Sequence, residues 1–115
     1  MSIKIYHNQR CSKSRCTLQL IEDKGITAEI INYLESPPSE AELDAILTLL
    51  GKEPWEIVRK GEQVYKDLGL PSLEQDRSEW IKKMVENPIL IERPIVVNGD
   101  KACLGRPPEN VHEIL

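Results

Sequence analysis

The hydrophobic period of this chain changes twice before residue 34, and that change constrains the fold more than any other feature of the sequence. Ser2 to Tyr6 (Ser-Ile-Lys-Ile-Tyr) places apolar residues at alternate positions, the period of a half-buried strand. His7 to Arg10 turn the chain. From Ser12 onward, Leu18, Leu20 and Ile21 follow a helical period that stops at Lys24-Gly25. Ala28 to Leu34 is then β-branched and aromatic enough for a second strand. A strand, a helix and a strand in that order make a βαβ crossover, which predicts two parallel strands in one sheet.

Beyond Pro37-Pro38 the pattern is helical. Ser39 with Glu42 three residues on is a capping box, and Leu43, Ile46, Leu47 and Leu50 follow at i, i+3, i+4 and i+7 before Gly51. Pro54–Val58, Gln63–Leu68 and Ser78–Val85 read as shorter helices separated by Gly61, Gly69 and Pro71, so residues 39–87 are predicted to be all-helical. Asn98-Gly99 between Ile95–Val97 and Lys101–Leu104 predicts a β-hairpin with a two-residue type I′ turn. Pro107-Pro108 opens a last short helix. The expected architecture is α/β, in the order β-α-β, helices, β-β-α, as one domain over residues 1–115 with a helical insertion at about 39–87.

A chain of 115 residues with 40% apolar content can bury a sufficient core without disulfides or a structural metal. No more than three apolar residues run together, against the ~18 or more of a spanning helix. No apolar stretch follows the start as in a secretory signal, so the expected location is cytoplasmic, away from membranes. With 4% aromatic residues and no Phe, the stacking platforms of single-strand nucleic-acid binders are missing, and nucleic acid is not an expected partner.

The net charge of -4 conceals an asymmetry: Lys4, Arg10, Lys13 and Arg15 stand in the first sixteen residues with no acid, around Cys11. Cys11 lies where the first strand hands over to the first helix, and the unpaired N–H groups and dipole of a helix start favour an anion. A thiolate is such an anion, and cations nearby lower a thiol pKa further. Cys11 is therefore the candidate nucleophile, with Arg10, Lys13 and Arg15 as its expected cations. Cys16, five residues on, points well around the helix from Cys11, and no C-x-x-C pair exists because position 14 is Ser. Cys16 and Cys103 are both expected to be packing residues. A solution thiol such as glutathione is the expected resolving partner.

His7 closes the first strand; it either orients the loop, tunes the thiol, or is a structural loop histidine. Arg93-Pro94 precedes the hairpin and Arg106-Pro107 follows it, so a two-residue turn would bring both guanidinium groups to one end of the sheet. Solvated surface charge is the default reading for each and stands ahead on sequence alone, and Arg59 in the helical block has a weaker case still. Metal spacings of the C-x2-4-C or H-x3-5-H kind are absent, so no metal is expected.

Taken together, these motifs resemble the glutaredoxin-type arsenate reductases along essentially the whole chain. The matching residues are His7-Asn8, Cys11-Ser12-Lys13-Ser14-Arg15 with Thr17-Leu18, Tyr33-Leu34 leading to Pro37-Pro38, and Arg59-Lys60. Leu68-Gly69-Leu70, Asn87 to Val97 and Arg106-Pro107 continue the match. Gln9, Ser12-Lys13 and the Cys103-Leu104-Gly105 spacer make the chain look more like the chromosomal homologues than the plasmid-resistance members. The resemblance implies a thioredoxin/glutaredoxin-like fold with a four-stranded mixed sheet. It implies Cys11 as nucleophile, Arg59, Arg93 and Arg106 as an oxyanion clamp, His7, Ser14 and Arg15 as supporting residues, and a cis Pro94. Three converging guanidinium groups then call for an anion or ordered water between them and Cys11.

The activity so implied is reduction of arsenate to arsenite by a monomer, with glutathione as co-substrate, glutaredoxin as partner and no bound cofactor. Two other readings compete. One is an Spx-like redox regulator that binds RNA polymerase, against which Ser14 stands where a C-x-x-C switch needs its second cysteine. The other is a general glutathione-dependent thiol oxidoreductase, which would act on mixed disulfides without arsenate.

Overall fold

In the computed structural model, which describes residues 3–115, the first strand, β1 (Ile3–His7), is followed by helix α1 (Ser12–Asp23) and strand β2 (Ala28–Asn32). Ser2, expected to begin β1, lies outside the described residues. Strands β3 (Ile95–Asn98) and β4 (Lys101–Leu104) complete one sheet of order β2-β1-β3-β4. β1 pairs parallel with β2, Ile5 opposite Ile30, and antiparallel with β3, Ile5 opposite Val96. The crossover and the hairpin thus meet at β1, and the sheet is mixed for that reason.

Two compact units divide the chain: the residues up to Ser36 together with Arg93–Leu115, and Pro37–Glu92. The first holds the sheet, α1 and a C-terminal 3-10 helix (Pro108–Glu113), over a core of Ile3, Ile5, Ile21, Val96, Cys103, Val111 and Ile114. Leu18 and Leu20 pack against that core only in part, because the buried stripe of α1 is Ser14, Thr17 and Ile21. Cys103 is buried as expected; Cys16 is exposed. The expectation for Cys16 rested on how often a free cysteine is buried; the inward face of α1 is instead taken by Ser14, Thr17 and Ile21. Cys16, two positions past Ser14, is turned about 200° from that face.

The second unit holds α2 (Glu40–Leu50), α3 (Gln63–Asp67), α4 (Arg77–Glu86) and three 3-10 turns. The capping box of α2 is present in full: Ser39 Oγ accepts from the Glu42 N–H and Glu42 Oε1 from the Ser39 N–H, both at 3.1 Å. Gly51 ends the helix at φ +68°, a backbone that side chains disfavour. Trp55 and Trp80 pack edge to face, centroids 5.9 Å apart. The unit is not wholly helical: Val58 and Ile91 form an isolated antiparallel bridge that the sequence period did not announce. The segment predicted as Pro54–Val58 helix is one 3-10 turn, Pro54–Glu56, which frees Val58 for that bridge.

The hairpin turns one residue later than read. Asn98 pairs with Lys101, so the loop residues are Gly99 and Asp100, with Gly99 alone at positive φ (+62°) among the two. That is the pattern of a type II′ turn. Asn98 stays in the ladder because it faces Ile3 of β1 and its Nδ2 donates to the Ile114 carbonyl.

Arg77, which the sequence reading passed over, ties α4 to α2. Its Nε donates to Asp44 Oδ1 (2.7 Å), Nη1 to Glu53 Oε1 (3.0 Å), and Nη2 to the Asp44 carbonyl (3.1 Å) and Thr48 Oγ1 (3.2 Å). The acids are about half exposed, so each ion pair contributes little, but the fork is multiply bonded. Arg77→Ala is expected to lower the unfolding free energy by about 1–2 kcal/mol, read as a shifted urea midpoint at unchanged slope.

Candidate active site

Cys11 is the N-cap of α1, with extended backbone (φ −92°, ψ 120°). Its N–H donates to the Asn8 carbonyl (2.9 Å), its carbonyl accepts from the Arg15 N–H (3.0 Å), and no acidic residue occupies the first turn of the helix. By contrast α2, capped by serine, carries Glu40 and Glu42 there. The anion-favouring end of α1 is therefore left to the sulfur.

Partial burial is the largest influence on the Cys11 thiol and pushes its pKa up; the Ser14 N–H, the Arg93 guanidinium and the Lys13 N–H together outweigh it. The net result is a pKa below the ordinary thiol value. The cation responsible corrects the sequence reading. Arg10, Lys13 and Arg15 are all exposed; the Lys13 influence comes through its backbone, and Arg15 Nη1 donates to the Gln9 carbonyl (2.7 Å). The charge that reaches the sulfur is that of Arg93, at the far end of the chain and beside Cys11 in the fold.

The loop between β1 and α1 is clamped from below. Ser14, wholly buried, accepts from the Asn8 N–H through Oγ (3.1 Å) and shares a hydrogen bond of 2.6 Å with His7 Nδ1. Asn8 Oδ1 accepts from the Arg10 N–H (3.0 Å). Burial, and then the positive charge of Arg15, hold the His7 pKa below its ordinary value, so the ring is neutral at pH 7. His7 thus supports the loop as an uncharged hydrogen-bond partner of Ser14.

The two Arg-Pro pairs flanking the hairpin do meet. Arg106 Nη1 donates to the Arg93 carbonyl (3.0 Å), and Asn110 Nδ2 donates to the Leu104 and Arg106 carbonyls (3.2 and 3.3 Å). Arg93–Pro94 is cis, as the resemblance implies; Arg106–Pro107 is cis as well. Among the described residues, Arg93 Nε and Nη1 are the buried side-chain donors with no hydrogen-bond partner. Buried guanidinium donors without a partner are costly, and their presence beside a thiolate fits a site that receives an oxyanion. Arg59 belongs to the other unit, where Glu62 and Glu92 pair with it.

Gly105 and Thr17 were missed. The Gly105 N–H donates to the Pro94 carbonyl (2.9 Å), and a Cβ at Gly105 would sit 2.7 Å from Pro94 Cγ and collide with Thr17 Oγ1. The only sequence signal was a glycine outside any turn, directly before Arg106. One cleft borders the loop and a second lies along α1. The first, of about 200 Å³, is lined by His7, Asn8, Arg10, Asn32 and Glu35; the second, of about 540 Å³, is lined by Lys13, Cys16, Leu20 and Pro108. Among the described residues no three His, Cys, Asp or Glu side chains gather as a metal ligand set. No helix among them is long and apolar enough to cross a membrane.

The profile of the ArsC family matches residues 6–114. The chain belongs to the ArsC family. It is 49% identical to an arsenate reductase of Haemophilus influenzae (strain ATCC 51907 / DSM 11121 / KW20 / Rd) over 116 residues, covering 100% of both proteins. It is 47% identical over 114 residues to YfgD of Escherichia coli (strain K12), covering 98% of this chain and 96% of the relative. The solved structure of an arsenate reductase from Vibrio cholerae superposes with a TM-score of 0.95 at 47% identity, covering 100% of this chain and 98% of the other. The thioredoxin-like fold expected from the motifs is the fold of this ArsC chain.

Two outcomes test the site. Alkylation of Cys11 followed against pH is expected to be half-maximal below the ordinary thiol pKa, and to move up in Arg93→Ala while Lys13→Ala leaves it in place, since Lys13 acts through its main chain. Gly105→Ala is expected to lower stability by about 1–3 kcal/mol through overpacking against Thr17 and Pro94, read in a denaturant titration.

Proposed function

We propose that the protein reduces arsenate to arsenite, with Cys11 as nucleophile and glutathione and glutaredoxin as the source of reducing equivalents. One observation carries the reading: a helix-capping cysteine with a lowered pKa lies beside Arg93, whose Nε and Nη1 are buried and unpartnered. A sulfur nucleophile and forked donors for a tetrahedral oxyanion are the two parts the reaction needs. The names carried by the relatives point the same way.

In this reading Arg93 and Arg106, with Arg59 as the third member the resemblance assigns, neutralise arsenate so that a thiolate can approach it. The Cys11 sulfur attacks arsenic, an S–As bond forms, and one oxygen leaves as water after protonation. Glutathione attacks the adduct and displaces the second oxygen in the same way. Arsenic then takes two electrons from the two sulfurs, leaves with its two remaining oxygens and takes up one water to become arsenite, with Cys11 and glutathione joined as a mixed disulfide. Glutaredoxin takes the glutathionyl group and returns the Cys11 thiolate. His7 and Ser14 hold the loop, and the cis Pro94 sits beside Arg93. Cys103 takes no part: burial, and then Glu113, push its pKa up to about 11, so it remains a thiol.

Purified protein with arsenate, glutathione, glutaredoxin and a disulfide reductase is expected to consume NADPH. Cys11→Ser should abolish that consumption, while Cys16→Ser and Cys103→Ser should retain it. Turnover surviving in the Cys11 variant would remove the mechanism. Reduction of mixed disulfides with no response to arsenate would replace it by general thiol oxidoreduction.

A further inference from the structure

Arg59 is held by an arrangement that membership of an oxyanion clamp does not require. On either side of the Val58–Ile91 bridge, the Arg59 N–H donates to the Leu90 carbonyl (2.7 Å) and the Glu92 N–H to the Ile57 carbonyl (3.0 Å). These bonds fix Arg59 and Glu92 on facing extended segments. Glu62 follows one turn later, its N–H donating to the Arg59 carbonyl (3.3 Å). The side chains then close on one another: Arg59 Nε donates to Glu62 Oε2 at 3.3 Å and Nη1 to Glu92 Oε1 at 3.1 Å. The three are 22%, 30% and 25% exposed respectively, so they are screened less than open surface charges.

One cation and two carboxylates make a cluster of net charge −1. An oxyanion that approaches Arg59 therefore meets a negative field and finds donors on two of the three guanidinium nitrogens already engaged. It can take those donors only by exchange. Resting on the clamp reading above, we propose that Glu62 and Glu92 determine oxyanion affinity at Arg59, Glu92 as the fixed partner that orients the guanidinium and Glu62 as the carboxylate an incoming oxyanion displaces. Glu62 is the one that yields because its bond is longer, its side chain is more exposed, and no bond in the bridge holds its main chain. The ligand class follows from the exchange: an oxyanion with an oxygen to accept from Arg59 Nε where Glu62 Oε2 now accepts, tetrahedral on the reading above. Glu62 is a positioning residue, since it acts on the ligand through Arg59.

The test is a double-mutant cycle read by calorimetric titration of arsenate, and separately of sulfate, into the full-length protein without reductant. Glu62→Gln is expected to bind arsenate about three- to fivefold more tightly than the unmodified protein, the range of one partly screened charge. Glu92→Gln should gain less, and the gain from Glu62→Gln should vanish in the Arg59→Ala background. In the coupled assay the KM for arsenate should fall by a similar factor while kcat changes less. Equal affinities in the two proteins, or the same gain with Arg59 removed, would overturn the proposal; a thermal scan of each variant confirms that folded proteins are compared. An intact binding cycle in a protein that turns over no arsenate supports the proposal and sinks the reductase reading. Turnover with a flat cycle does the reverse, and no oxyanion binding by any variant overturns both.

Discussion

The unpaired N–H groups at the start of α1 are the interaction on which the rest of the site depends. A helix leaves its first donors without main-chain partners, and they must be met by a side chain, by water or by a ligand. In α2 a serine and a glutamate meet them reciprocally, and that helix end is closed. In α1 the capping position holds Cys11, with no acid in the first turn. The donors of Lys13 and Ser14 therefore act on sulfur, and the thiolate is favoured against the opposing effect of its own partial burial. Two helix starts in one chain show the same physics with opposite chemical outcomes, decided by one residue type at the cap.

Backbone donors alone lack a full charge, and the fold brings that from the other end of the chain. β3 pairs with β1, so the residue entering β3 arrives beside the residue leaving β1. Arg93 is placed next to Cys11 by this register, and the hairpin returns Arg106 to the Arg93 carbonyl. Gly105 makes the return fit: without a side chain it packs against Pro94 and Thr17, and its N–H bonds the Pro94 carbonyl. Thr17 lies on the same helix face as Ser14, which supports the loop through His7 and Asn8. The polar stripe inside α1 thus touches both sides of the site, and for that reason it is buried without being apolar.

The same facts explain what was legible. The βαβ crossover and the capping box were readable because each rests on residues close in sequence with a strong local pattern; the meeting of the two Arg-Pro pairs was readable only as an option that the hairpin opened. The turn residues were misplaced by one because Asn98 is kept in the ladder by Ile3 and Ile114, contacts that no local window contains. Cys16 was assigned to the core because free cysteines are commonly buried, while Ser14, Thr17 and Ile21 take the inward face of α1. The cations were chosen by nearness in sequence, and Arg93 was nearer in space. The turn and the cations share one cause: a site is built from segments that the sheet, and not the chain, makes neighbours.

Two of the arginines stand in opposite electrostatic settings. Arg93 keeps Nε and Nη1 buried without partners, which costs desolvation but leaves strong donors ready. Arg59 is satisfied by two carboxylates, which stabilises the resting fold but opposes an anion that would replace them. In the proposed reading the first arrangement favours tight binding and the second favours selectivity, since a ligand must replace the Glu62 oxygen that accepts from Nε to bind without loss of a hydrogen bond. Removing the acids around Arg59 would trade that selectivity for affinity, and adding one beside Arg93 would also raise the Cys11 pKa, because the same guanidinium charge stabilises the thiolate. In the proposed reading counter-charge is thus compatible with function at Arg59 and incompatible with it at Arg93, whose guanidinium is the cation that lowers the Cys11 pKa.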